Sequence, residues 1–382
     1  MRVLMLSTPF PSHFVPLVPL AWALRAAGHE VVVAAQPDVT DVAHSAGLCT
    51  AMLGDRFHGL DVVLDVLPEG SRLIHLLGKP APEQVNLSFW QVHASYLLPR
   101  YLEFARAWRP DLVVSEQMEF AGPIVAAALG VPSIQHRWGV DAMSDWARED
   151  CARSMRRICL RLGLDGFPGP SVLLDPCAPE LQVPGIAPAR PIRHVPFNGP
   201  GERPGWLGDR TADRRLCVTL GGQTLALNGV PLFRTIIEAA GALPEVETVV
   251  TADPAYWAAI GPVPRSVRLV PPTPLHLFLS TCDAVLHHGA ANTTMTVSAA
   301  GLAQLVLPQM QDEFTAADRV AGAGMGLVID TADGQDDPAT VHAALEKLLA
   351  DPRYGTAAAG IARGMAAMPS PAAVAAELAT LR

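Results

Sequence analysis

The sequence predicts an α/β protein built from two doubly wound parallel sheets that face each other across a cleft. Three observations carry this. Short unbroken apolar runs such as RVLMLS (2–7) and EVVVAA (30–35) alternate with longer helical stretches, the pattern of strands covered on both faces. That rhythm lapses across the Pro-, Gly- and Arg-rich stretch 184–214 and then restarts. The 382-residue length suits two such domains.

The elements follow in order. RVLMLS is a buried first strand, and VPLAWALRAAG is a helix stopped at Gly28. With EVVVAA these make one βαβ unit. Residues 55–91 are irregular and read as a loop-and-helix insertion of the kind that shapes ligand pockets. YLEFARAWRP is a helix ending before Pro110, DLVVSE a strand, AGPIVAAALG a helix stopped at Gly130, and VPSIQHRW a strand. After the linker come the strand LCVTLGG, the helix VPLFRTIIEAAGAL, the strands VETVVTAD and SVRLV, and the helix LHLFLSTC. DAVLHHG, NTTMTVSAAG, AQLVLPQ, EFTAADRVAGAG and GLVI alternate strand and helix, and PATVHAALEKLLADP is a closing helix. The division is thus a first domain over 1–195, a linker over 196–214 and a second domain over 215–369, with a terminal helix over about 370–382.

Composition excludes several classes. Half of the residues are hydrophobic and only 17% are charged, so the chain is not disordered. No apolar run reaches the ~18 residues of a membrane span, and MRVLMLSTPF lacks the long apolar region of a signal peptide. A cytoplasmic protein is the expectation. A net charge of −9 argues against nucleic acid as a partner. The six cysteines are scattered without a C-x-x-C pair and read as reduced thiols.

Two loops carry candidate chemistry. His13 sits among prolines and aromatics where the first strand turns into a helix. By position alone it could fill the core, bind a metal or act as a base. The second is CDAVLHHGAANTTMTVSAAG (282–301), a strand, a turn of small residues and a helix. Gly289, Ala290 and Ala291 allow a close backbone approach to a ligand, and free N–H groups at Asn292, Thr293 and Thr294 favour an anion. His287 and His288 are neighbours on a strand end and point to opposite faces. Only one of them serves that turn easily, and His288 is nearer. A plain capped helix explains the same residues. No H-E-x-x-H or paired Cys/His spacing marks a metal site.

At this point the sequence resembles a known family. HHGAANTT, followed by GLAQLVLPQMQDEFTAADRVAGAGMG, is similar to the donor-binding signature of nucleotide-sugar glycosyltransferases of GT-B fold. SHFVPLVPLAWALRAAGHEVVVAAQPD resembles their N-terminal signature, narrowly that of bacterial enzymes attaching deoxysugars to antibiotic, often polyketide, aglycones. The likeness spans nearly the whole chain and is weakest over about residues 50–100.

The resemblance implies an inverting, metal-independent transferase that needs no cofactor and takes a dTDP-deoxysugar as co-substrate. His13 matches the family's general base. Glu116 matches the carboxylate that orients it, where aspartate is usual. His288 matches the phosphate-contacting histidine, and Ala290, Asn292, Thr293 and Thr294 the diphosphate turn. The family usually has glycine at 290. Gly221 and Gly222 match glycines facing the nucleotide, Pro272 and Thr273 the stretch holding the base, and Asp312 and Glu313 the pair holding sugar hydroxyls. Many relatives have glutamine at the second of these. Phe14, Trp90, His136 and Trp138, with Arg137, are candidates to line the acceptor side, because aromatics suit flat rings. The terminal helix is implied to cross back to the first domain. A homodimer and an auxiliary activator protein are both compatible with the pattern. The alternatives are a nucleotide-sugar epimerase of the same fold and a non-catalytic nucleotide-sugar-binding homologue. A dinucleotide dehydrogenase is disfavoured, because GAGMG follows a helix and precedes a strand, the reverse of the dinucleotide fingerprint.

Overall fold

The structure is a computed structural model and describes residues 1–79 and 88–381. Part of the 55–91 insertion, residues 80–87, therefore lies outside the described residues. Two parallel sheets form, as the alternating pattern predicts. The first contains β1 (Arg2–Leu6), β2 (Glu30–Ala35), β3 (Cys49–Met52), β4 (Leu112–Glu116), β5 (Ser133–His136), β6 (Val172–Asp175) and β7 (Arg190–Pro191), in the order β3-β2-β1-β4-β5-β6-β7. The second contains β8 (Arg214–Thr219), β9 (Val246–Thr251), β10 (Val267–Val270), β11 (Ala284–His287), β12 (Ala303–Val306) and β13 (Gly326–Val328), in the order β10-β9-β8-β11-β12-β13.

The strand sequences explain why both faces are covered. Val3 and Met5 pack into one core with Leu20 and Leu24 of the helix Val18–Ala26. Leu4 and Leu6 point the other way, against Leu98 and Leu102 of the helix Ser88–Trp108 and Ile124 of the helix Ala121–Leu129. Period-two alternation of wholly apolar residues gives each sheet face its own core. Each fully buried aliphatic side chain contributes about 1.5–3 kcal/mol. Val374, Ala375 and Leu378 of the terminal helix Pro371–Leu378 join the first of these cores. Between the domains a further cluster unites Val140, Cys177 and Leu181 with Met295, Ala317, Val320 and Met365.

Some elements differ from expectation. The helix expected from Tyr101 begins at Ser88 and runs through Pro99. LHLFLSTC forms two 3-10 turns, Leu275–Leu277 and Leu279–Thr281, because Phe278 at φ −140° interrupts a helix between them. β3, β6 and β7 escape the apolar-run criterion, being short and partly exposed. Among the described residues no helix is long and apolar enough to cross a membrane.

Each sheet reverses its strand order once, between β1 and β4 and between β8 and β11. Ligands of doubly wound sheets bind beyond the carboxyl ends of strands at such points. Both candidate loops lie there. His13 follows β1, and Glu116 ends β4, whose Ser115 pairs with Leu6. Gly221 follows β8, whose Thr219 pairs with His287 at the end of β11.

Candidate active site

The first-domain half is built around His13. Pro11 begins a short helix, Pro11–Phe14, whose backbone presents the imidazole at the end of β1. His13 Nδ1 lies 2.6 Å from Thr8 Oγ1, and Thr8 Oγ1 donates to Glu116 Oε1 at 2.6 Å. Since Thr8 gives its only proton to the carboxylate, His13 Nδ1–H is the donor to Thr8. That tautomer leaves Nε2 unprotonated. His13 Nε2 makes no hydrogen bond to any described residue. Glu116 Oε1 also accepts from the Thr8 amide, and Oε2 accepts from the Met118 amide at 2.7 Å. The direct separation of His13 Nδ1 from Glu116 Oε1 is 3.9 Å. Glu116 thus reaches the histidine through a hydroxyl, and Thr8 is a site residue that sequence reasoning missed.

Burial sets the protonation states. It pushes the His13 imidazole down to about 3, with His93 adding to the effect. It pushes the Glu116 carboxyl up to about 7, against the hydrogen bonds from Thr8 and Met118. Below this pair, burial and then the Glu116 charge raise Glu119 to about 8, and Tyr101 and the Ala121 amide donate to it.

An aromatic cage surrounds His13. The Trp138 ring centroid is 3.8 Å away, tilted by 33°. Phe10 and Trp90 stand at 5.2 and 5.3 Å, and Phe57 and Phe89 extend the wall beyond Phe10. The Trp138 indole nitrogen is buried with no hydrogen-bond partner among the described residues.

Three residues expected at this face lie elsewhere. Phe14 is wholly buried in the core under β1. On a helical turn successive side chains are about 100° apart, so Phe14 points inward where His13 points out. Phe10, three residues before His13, shares its face instead. His136 is buried with its Nδ1 against the Arg137 carbonyl, and burial pushes its imidazole down to about 4. Arg137 is 1% exposed and held by Asp141 at 2.8 Å, Asp175 at 2.9 Å and the Ala187 carbonyl. It anchors the segment that carries Trp138.

The second-domain half is built around the β11 turn. His287 is fully buried, pairs with Gln304 Oε1 at 2.8 Å and accepts from the Gly289 amide. His288 faces the other way. Its Nε2 is 3.7 Å from Glu313 Oε1, its Nδ1 has no partner among the described residues, and burial pushes it down to about 3. Gly289 has φ +97°, and a Cβ there meets the Glu313 carbonyl and Val306 at 3.1 Å. Gly221, at φ +64°, lies under the His288 ring, with the Gly222 backbone exposed beside it. Ala290 has φ −54°, so it replaces glycine there without strain. The helix Ala291–Ala299 then begins with the amides of Ala291, Asn292 and Thr293 unpaired within the helix.

Other donor candidates divide. Thr293 is half-buried at the helix start. The Thr294 hydroxyl instead bonds the Gly289 carbonyl at 3.0 Å, and Asn292 donates to the Phe197 carbonyl at 3.1 Å, so both side chains brace the turn. Pro272 and Thr273 follow β10 at the carboxyl edge of the sheet, where the Thr273 hydroxyl donates to the Pro271 carbonyl. Glu313 Oε2 accepts from the Gln309 and Met310 amides, so Glu313 holds its own loop rather than presenting both oxygens to a ligand. Burial raises Asp312 to about 6, against the pull of its own and the Glu313 backbone amides.

The halves meet at Trp138 and Gly139. Trp138 lies against His13, while a Cβ on Gly139 lies 2.8 Å from Met295 Cγ and 3.5 Å from the Ala291 carbonyl. One residue therefore separates the ring against His13 from the start of the helix Ala291–Ala299.

Comparisons with known proteins identify the family. The family model described as "Erythromycin biosynthesis protein CIII-like, N-terminal domain" matches residues 22–221, and its C-terminal counterpart matches residues 234–381. The chain is 33% identical to the tylactone mycaminosyltransferase of Streptomyces fradiae, covering 99% of this chain and 92% of that protein. It is 34% identical to the L-demethylnoviosyl transferase of Streptomyces niveus, covering 99% and 98%. Among solved structures it is similar to a spinosyn rhamnosyltransferase complexed with thymidine diphosphate, at TM-score 0.86 and 35% identity over 100% of both chains. The same enzyme complexed with spinosyn aglycone aligns at TM-score 0.85 and 34% identity, again over 100% of both chains. The chain belongs to the erythromycin biosynthesis protein CIII-like family of GT-B antibiotic glycosyltransferases.

Proposed function

We propose that this glycosyltransferase moves a deoxysugar from a dTDP-sugar to a hydrophobic, polyketide-type aglycone with inversion at the anomeric carbon. The observation that carries the reading is the bridge at Trp138–Gly139, where one residue lies against His13 and the next packs on the helix Ala291–Ala299 with its free amides. The aglycone lies in the cage of Phe10, Phe57, Phe89, Trp90 and Trp138. His13 Nε2 takes the hydroxyl proton as the acceptor oxygen attacks the anomeric carbon. The imidazolium so formed is stabilised through Thr8 by Glu116. The bond to the diphosphate breaks on the opposite face. Its developing charge meets the amides of residues 291–293, the helix dipole and a neutral His288 donating from Nε2. The bound thymidine diphosphate and aglycone of the spinosyn enzyme support this choice of substrate classes.

The test is product formation from a panel of dTDP-sugars and polyketide aglycones, followed by mass spectrometry and by NMR of the anomeric proton. Transfer with inverted configuration, lost about 10²–10⁴-fold in His13→Ala, is expected. Retained configuration, or full activity without His13, contradicts the reading.

A further inference from the structure

One side chain of the first domain reaches into the second. Arg72 belongs to the acceptor-domain insertion, yet it is 3% exposed and buried in the donor domain. Its Nη1 donates to Gln309 Oε1 at 2.8 Å and Gln335 Oε1 at 2.7 Å, and its Nη2 to Asp336 Oδ1 at 2.5 Å. The segment around it is clasped by charge. His75 pairs with Asp336 at 3.0 Å, Lys79 with Asp318 at 2.7 Å and Asp330 at 3.3 Å, and Asn228 donates to the Ser71 carbonyl.

The partners of Arg72 are not ordinary surface groups. Gln309 opens the loop that leads to Asp312 and Glu313. Its Nε2 donates to the Leu307 carbonyl and to Gln335 Oε1, while Gln335 donates to the Pro308 and Ile329 carbonyls. Glu313 caps the Gln309 and Met310 amides from the other side. Arg72 is the donor that satisfies Gln309 Oε1 in this buried network. A buried network that loses one member leaves its partner unsatisfied and rearranges.

We infer that Arg72 is a positioning residue for the donor subsite: by holding Gln309 it fixes the 308–310 turn and the first turn of the helix Gln311–Gly322, and makes sugar binding depend on docking of the acceptor-side segment 71–79. The inference rests on the reading of Asp312 as a contact for the donor sugar. Coupling of this kind is reciprocal, and sugar binding favours docking of segment 71–79 as docking favours sugar binding.

The test uses the full chain, with amide exchange read by mass spectrometry and calorimetric titration with dTDP and dTDP-glucose as probes. In Arg72→Met the 308–314 amides exchange about tenfold faster while the 289–294 turn is unchanged. The dTDP affinity stays within about twofold, and the extra affinity of dTDP-glucose over dTDP is lost. Arg72→Lys, which keeps the charge without the fork, falls between. Unchanged exchange at 308–314, or faster exchange across the whole donor domain with a lower Tm, overturns the inference. An Asp312→Asn variant separates the two claims. If it leaves the dTDP-glucose to dTDP affinity ratio as in the parent, the sugar-contact reading falls, and the coupling to sugar binding falls with it.

Discussion

His13 Nδ1 and Glu116 Oε1 stand 3.9 Å apart, and the Thr8 hydroxyl fills the gap at 2.6 Å from each. The hydroxyl passes the orienting effect of the carboxylate to the imidazole and selects its tautomer. Thr8→Val keeps the volume and removes the link. Steady-state kinetics should show kcat reduced about 10–100-fold with KM little changed. Thr8→Ser should retain most of the activity. An active Thr8→Val enzyme would mean that the relay is only structural.

The pH profile follows from the same three residues. Burial holds His13 neutral down to about 3, so His13 itself does not lose its lone pair near neutrality. Glu116 is raised to about 7, and only its ionised form stabilises an imidazolium through Thr8. Activity therefore rises with pH through an apparent value near 7 that belongs to the coupled unit, then levels off. Glu116→Gln should remove that limb and lower the plateau. A parent profile flat between pH 5.5 and 8.5 contradicts this assignment.

Glu119 links pH to stability. Its carboxyl is fully buried and raised from 4.5 to about 8. Between these values the folded state holds a proton that the unfolded state has lost. Its contribution is therefore fully present below the unfolded value and declines as pH rises through the folded one. From pH 6 to pH 8 this amounts to about 2 kcal/mol. Glu119→Gln removes the titration, so denaturant unfolding should show the variant gaining about that much relative to the parent across this range. Parallel stability curves contradict the shift.

Gly221 tests the packing of the donor turn. It holds φ +64°, and a Cβ there lies 3.1 Å from His288 Cε1. Gly221→Ala adds backbone strain of about 1 kcal/mol and pushes the ring. A lower Tm and several-fold weaker dTDP binding are expected, read by scanning and titration calorimetry. Unchanged dTDP affinity places the His288 ring outside the nucleotide site.

How much of this the sequence revealed depends on distance along the chain. His13, Glu116, Gly221 and His288 all end or follow strands of recognisable βαβ units, and the strand order brings them to the two switch points. Local chemistry misled where a side chain's direction decides its role. Phe14 is one residue from His13 and faces the core, whereas Phe10 shares the ligand face. The Thr294 hydroxyl and the Asn292 amide face their own turn and the linker. Thr8 gave a weak signal, a hydroxyl residue just past the first strand. Arg72 gave none, because its partners Gln309, Gln335 and Asp336 lie more than half the chain away.

The most direct test is calorimetric titration of the purified protein with dTDP and UDP, in parallel with His288→Ala. Micromolar dTDP binding, weaker UDP binding and a loss of about tenfold or more in the variant, about 1.4 kcal/mol, are expected. Tighter UDP binding would contradict the choice of nucleotide. No nucleoside diphosphate binding, or binding indifferent to His288, would contradict the placement of the donor at the β11 turn.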